Sequence, residues 1–210
     1  MTIIPTKDDL DVDWENNVAL PAISYICGYC GEYNSSSLGY KARSAIHAQA
    51  VWTYNFGTIR ICSSCAKPSY NREDEFTPGA KFGSDVENIS DENLKKLYDE
   101  ARSCIQVNAF TASIMCSRKM LMNIAVDKGD QEGKSFVQYV EYLADNGYVT
   151  KSSKPWVDKI RTLGNDANHK IQILKREDAE ELIKFVEMIL KTNYEYPSYG
   201  KKLEAEEVKA

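Results

Sequence analysis

Cys27-Gly28-Tyr29-Cys30 and Cys62-Ser63-Ser64-Cys65 are the two stretches that decide how the first third of this chain folds. Two residues between paired cysteines let a tight turn aim both thiolates at one ion while backbone N–H groups donate to the sulfurs. Two such turns complete a tetrahedral four-cysteine shell, and Zn2+ is its ordinary occupant. Iron and disulfides are the competing readings, and a reducing compartment disfavours disulfides. Four thiolates leave no position open for water, so the expected role of the ion is structural rather than catalytic. His47, between the pairs, could replace a cysteine ligand; as a lone residue in a loop, a solvent-facing or packed histidine is the alternative.

Around these pairs, residues 21–70 are rich in Gly, Ser and Tyr, and the runs Val51–Phe56 and Thr58–Cys62 read as strands flanking a turn at Gly57. The spacing resembles that of zinc ribbons, whose first pair is commonly followed by Gly, as Gly31 follows Cys30 here. A β unit this small buries too little apolar surface to fold without a crosslink, which the ion supplies.

The 210-residue chain carries 26 Lys and Arg against 31 Asp and Glu, a net charge of -5 that argues against general coating of nucleic acid. Residues 27–72 alone are basic, at +4, and interleave Lys41, Arg43, Arg60, Lys67 and Arg72 with Tyr29, Tyr33, Tyr40, Trp52, Tyr54 and Tyr70. Such a surface can pair cations with phosphates and stack rings on bases, so RNA or another nucleic acid is a candidate partner of the ribbon; rings forming the module's own core are the alternative. No apolar run is long enough for a bilayer and the acidic N-terminus is unlike a targeting peptide, so a cytoplasmic protein with no membrane partner is expected.

Outward from the ribbon, residues 1–20 read as a flexible arm and 71–89, acidic with Pro and Gly, as a linker. Residues 90–197 then show helical periodicity in five runs, and the charged tail 198–210 lacks an apolar stripe. Ser90 opens the first run; Phe110, Ile114, Leu121 and Ala125 mark the second; Phe136 to Leu143 form the third. Pro155 starts the fourth, with Trp156, Ile160, Leu163 and Ala167 on one stripe, and Glu177-Asp178 starts the fifth, which is expected to end before Tyr196-Pro197. The fold class is therefore α+β, mainly α: a small four-cysteine β unit followed by a five-helix bundle.

Two features of the bundle stand apart. Arg118 falls on the buried face of the second helix and needs a partner. Arg161-Thr162-Leu163-Gly164-Asn165-Asp166-Ala167-Asn168-His169, if helical throughout, sets Arg161, Asn165 and His169 along one edge; equally, Leu163-Gly164-Asn165-Asp166 is a good helix stop that would throw His169 off that edge. Cys104 and Cys116 read as small buried hydrophobes.

With Arg118, Trp156, Arg161 through His169 and the ending Tyr194-Glu195-Tyr196-Pro197, residues 90–197 resemble the prokaryotic domain of unknown function 4145 family, which is often placed near the HEPN helical domains. The resemblance implies a HEPN-like bundle that dimerises and works in toxin–antitoxin or phage-defence settings with a defence-system protein partner. It implies further that a metal-independent endoribonuclease could use His169 as general base, Arg161 to stabilise phosphate charge and Asn165 to orient either, with Arg118 nearby. The chain departs from nuclease members in carrying Gly164 where Arg usually precedes the Asn, and Asn168 where a small residue is usual. The principal expectation is thus a zinc-binding, nucleic-acid-associated or defence-type regulatory module acting through binding and homodimerisation, with the ribonuclease as the alternative.

Overall fold

The computed structural model describes residues 14–42, 57–149, 151–153, 155–161 and 174–200. The chain is α+β and divides into two compact units, Met1–Lys81 and Phe82–Ala210. Among the described residues no helix is long and apolar enough to cross a membrane.

Among the described residues the first unit is an antiparallel sheet of five strands in chain order: β1 (Val18–Ile26), β2 (Tyr33–Lys41), β3 (Thr58–Ile61), β4 (Pro68–Arg72) and β5 (Glu75–Thr77). The strand expected over Thr58–Cys62 is present as β3, whereas the one expected over Val51–Phe56 lies outside the described residues. β1 begins inside the stretch that reads as an arm, and Trp14 is tied in by its indole N–H, which donates to the Ala66 carbonyl at 2.8 Å. β5 pairs with β4 inside the stretch that reads as a linker. Each strand escapes sequence reading for its own reason: Pro21 and a register shift interrupt β1, and the acidic Glu73-Asp74 turn masks β5.

Among the described residues of this unit buried apolar packing is slight, centred on Tyr25, Cys27 and Cys62 with Ile23, Cys65 and Phe76 against them. Tyr25 and Phe76 stack with ring centroids 4.1 Å apart. Arg60 is also buried, and its guanidinium donates to the carbonyls of Pro21 at 2.7 Å and Ser36 at 3.2 Å. It holds the interrupted part of β1 onto β2, so it is not part of the cationic surface that the sequence suggests.

The second unit packs α1 (Glu92–Gln106), α2 (Phe110–Asp127), α3 (Phe136–Asp145), a helix over 155–161 (α4) and α5 (Arg176–Leu190) around a continuous core. Asp91, one residue after the expected start, caps α1 by accepting from the N–H groups of Asn93 and Leu94, and Ser135 and Gln138 form a reciprocal capping box on α3. Ile105, Ile114, Leu121, Ile124, Leu143, Ile160 and Ile183 are wholly buried, as their three-and-four spacing requires.

α5 does not stop before Tyr196. It passes through a π turn at Lys191–Glu195 into helical residues 196–200. The widened turn displaces the hydrogen-bond ladder, and Pro197 then sits in the first turn of that terminal helical stretch, where its missing N–H costs little.

Residues 82–89 belong to this unit rather than to a free linker. Val86 and Ile89 are buried in its core. Arg102 of α1, 4% exposed, donates to the carbonyls of Phe82 and Gly83 at 2.8 Å each and pairs with Asp85 and Asp99. Glu187 of α5 accepts from the Ser84 N–H at 2.9 Å, and Glu195 from the Glu87 N–H at 2.9 Å. The contacts that hold residues 82–87 join positions 17 to 108 residues apart, which is why the segment looks unstructured when read alone.

Candidate metal centre and the helical motif

Each cysteine pair occupies the tip of a hairpin, the first between β1 and β2 and the second between β3 and β4. Their backbones are near copies. The N–H of Gly31 donates to the Cys27 carbonyl and that of Ala66 to the Cys62 carbonyl, both at 2.9 Å. The N–H of Cys27 donates to the Glu32 carbonyl at 2.9 Å and that of Cys62 to the Lys67 carbonyl at 3.0 Å. Tyr29 N–H points at the Cys27 sulfur and Ser64 N–H at the Cys62 sulfur, each at 3.4 Å. The turn closes through a residue with left-handed φ, Gly31 at 76° and Ala66 at 55°.

All four sulfurs lie within 4.8 Å of one another, and two opposite edges, Cys27–Cys65 and Cys30–Cys62, measure 3.8 Å. A tetrahedral shell with metal–sulfur bonds of about 2.3 Å has edges of about 3.8 Å, so the residues present fit such an ion closely. All four are free thiols rather than disulfides. Cys27 and Cys62 are buried while Cys30 and Cys65 reach the surface, as expected of a site loaded from solvent.

Electrostatics make the same point. Burial and the neighbouring Cys27 push the Cys65 thiol far above its ordinary value, and burial raises Cys30 as well. Burial would also raise Cys62, but the N–H groups of Cys65 and Ser64, together with the Cys27 and Cys65 thiols, more than offset it and bring that thiol down. Four sulfurs this close cannot all ionise without a cation among them.

Packing against the first turn is tight. A Cβ on Gly28 would come within 2.4 Å of the Gly79 carbonyl oxygen and 2.5 Å of that of Pro78, so this position admits only glycine. Beside the second turn, the Lys67 ammonium lies 4.9 Å from the Tyr29 ring centroid. Pro78 and Gly79 were not legible as part of the site, because nothing local in the sequence ties them to Gly28.

In the helical unit, Arg118 of α2 is buried as its spacing requires, with its guanidinium 4.3 Å from the Phe136 ring centroid at the start of α3. Among the described residues it has no carboxylate partner, and its Nη1 meets no acceptor. Burial lowers its pKa. Arg161, at the end of the described part of α4, is neutralised by two carboxylates: Glu141 of α3 at 2.6 Å and Asp158, one turn earlier, at 3.1 Å. The second partner was readable from the i, i+3 spacing, and the first was not. Asn165, His169, Leu163, Ala167 and His47 lie outside the described residues. A surface groove of about 620 Å3 between α4 and α5, floored by Trp156 and edged by Lys159, Glu181 and Lys184, contains neither Arg118 nor Arg161.

A four-cysteine β module able to hold a metal ion, followed by a helical bundle, is the class of protein that this fold and site define. The family model for the domain of unknown function DUF4145 matches residues 99–206, and the chain belongs to that family. No curated protein and no solved structure matches the chain significantly.

Proposed function

We propose that the protein is a zinc-stabilised regulatory module that acts through binding and homodimerisation, with RNA or another nucleic acid as the partner of its ribbon and a defence-type role in the cytoplasm. The observation that carries this reading is the closed shell of four thiols, since Zn2+ held by four sulfurs has no position left for substrate. Zinc crosslinks a β module whose apolar packing, among the described residues, is slight. Exposed rings of Tyr29, Tyr33 and Tyr70 and the ammonium of Lys67 support contact with bases and phosphates, in a smaller surface than the sequence implied because Arg60 is occupied internally.

The ion pairs of Arg161 also favour binding over turnover, because a cation already balanced by Glu141 and Asp158 has little charge left for a phosphate. One observation favours the ribonuclease reading with HEPN-like chemistry at His169, Asn165 and Arg161: the buried Nη1 of Arg118 still seeks an acceptor.

The test uses purified full-length protein with its metal content measured by elemental analysis. About one zinc per chain, a dimer by light scattering and retention of RNA without new ends are the expected results. Cleavage leaving cyclic phosphates, lost in His169→Ala, would replace this reading with the ribonuclease. A monomer that neither holds nor cuts RNA would remove both.

A further inference from the structure

Arg118 has no part in the metal centre or in the ribbon's surface. It is 5% exposed and its Nη1 meets no acceptor, and among the described residues no carboxylate answers its charge. A buried guanidinium without a counter-charge is costly to keep, and an ion from outside the chain is one way to complete it.

The place of the guanidinium decides what would complete it. It rests 4.3 Å from the ring centroid of Phe136, the first residue of α3. The reciprocal cap between Ser135 and Gln138 satisfies the N–H groups of those two residues. Phe136 and Val137 have no carbonyl one turn earlier, so their N–H groups stay available and carry the positive end of the α3 dipole. A buried cation is thus set beside the positive end of a ten-residue helix. Asp130 does not neutralise them, since its carboxylate is engaged by Lys134 and the Gln131 N–H. We propose that Arg118 and the N-terminus of α3 form a binding site for one phosphate group.

A tetrahedral oxyanion suits these donors. One oxygen accepts from Nη1 of Arg118 while others accept from the Phe136 and Val137 N–H groups, as at other helix starts that hold phosphate. Gly133 and Ser135 are exposed, and the Lys134 side chain is 33% exposed, which gives the ligand an entrance from solvent with a second cation at its rim. Free phosphate and the phosphodiester of a single-stranded nucleic acid share this chemistry. The site does not rest on the ribbon reading, and either can fail without the other.

The test follows the Arg118 Nε–H and the Phe136 and Val137 amides by NMR in metal-loaded full-length protein, titrated with inorganic phosphate against a sodium chloride control of equal ionic strength. Saturable movement of all three signals with a single dissociation constant, absent in chloride, is expected. At about ten times that constant the unfolding temperature should rise by about 4 °C. Arg118→Met, which keeps the volume against Phe136, should lose both responses and unfold no earlier than the parent in the absence of phosphate, because an unpaired buried charge has gone. The parent titration decides the matter by itself if that variant does not fold.

A short oligouridylate with hydroxyl ends offers phosphodiesters alone. Movement of the same three signals at a lower concentration than phosphate requires supports the site with nucleic acid as its source, and movement by phosphate only supports it with free phosphate. Signals that answer neither probe, that answer chloride equally, or that still answer phosphate in folded Arg118→Met would overturn the proposal. Oligouridylate shifts confined to Tyr29, Tyr33 and Tyr70, with no response to phosphate at α3, would overturn it while sparing the ribbon reading.

Discussion

The indole N–H of Trp14 donates to the carbonyl of Ala66, the residue that closes the second cysteine turn, at 2.8 Å. A residue from before the first strand is thereby anchored on the metal-binding loop itself. The same ring meets Tyr40 edge-on at 6.3 Å between centroids.

Metal removal is expected to release this contact. Chelation of the full-length protein should shift tryptophan emission to longer wavelength, and Trp14→Phe should lose a measurable part of that shift while still binding one metal per chain. An unchanged difference spectrum in the variant would show that Trp14 does not sense the loop.

The two turns respond in opposite directions to a methyl group. Gly28→Ala drives a Cβ into the Pro78 and Gly79 carbonyls and should weaken metal retention at least tenfold in a competition titration with a chromogenic chelator. Ala66→Gly relieves a left-handed alanine and should stabilise the loaded module by about 1 kcal/mol, read as a higher unfolding temperature. A stabilising Gly28→Ala would contradict this close packing.

Arg102 should be among the costliest polar residues to truncate. Arg102→Ala leaves the carbonyls of Phe82 and Gly83 and the carboxylate of Asp85 without their donor, and a loss of about 3 kcal/mol in urea unfolding is expected. A loss below about 1 kcal/mol would mean that water replaces the guanidinium freely.

Glu187 gives the helical unit an acid-sensitive component. Burial alone would raise its pKa, but Lys191 and the Ser84 N–H lower it below the ordinary carboxylate value. A depressed folded pKa favours the native state above the unfolded value of about 4.3, and that contribution disappears as pH falls through the lower, folded value. Glu187→Gln should therefore cost stability at pH 7, and the gap between variant and parent in chemical denaturation should close below about pH 4. A gap independent of pH would assign the effect to packing instead.

How far the sequence reveals this molecule depends on the range of the interactions involved. Cys27, Cys30, Cys62 and Cys65 were readable because a metal turn is built from consecutive residues, and the buried placement of Arg118 followed from helical spacing. The starts of α3 and α5 were readable for the same local reason. Arg60 reads as a surface cation, yet its acceptors lie 24 and 39 residues away, a relation that composition does not carry. β1 and β5 were missed because pairing across the sheet, not propensity, makes them strands. Glu141 as the partner of Arg161 depends on how α3 meets α4, which periodicity leaves open.

The clamp on residues 82–89 bears on how the helical half can be excised for study. A fragment begun at residue 99, where the family match starts, would lack the Asp91 cap, the apolar plugs Val86 and Ile89, and the Phe82 and Gly83 carbonyls on which Arg102 closes. It would carry a guanidinium stripped of most of its acceptors and a core open on one side, and its insolubility would say nothing about the parent. The compact helical unit begins at Phe82, seventeen residues ahead of the family's first matched position.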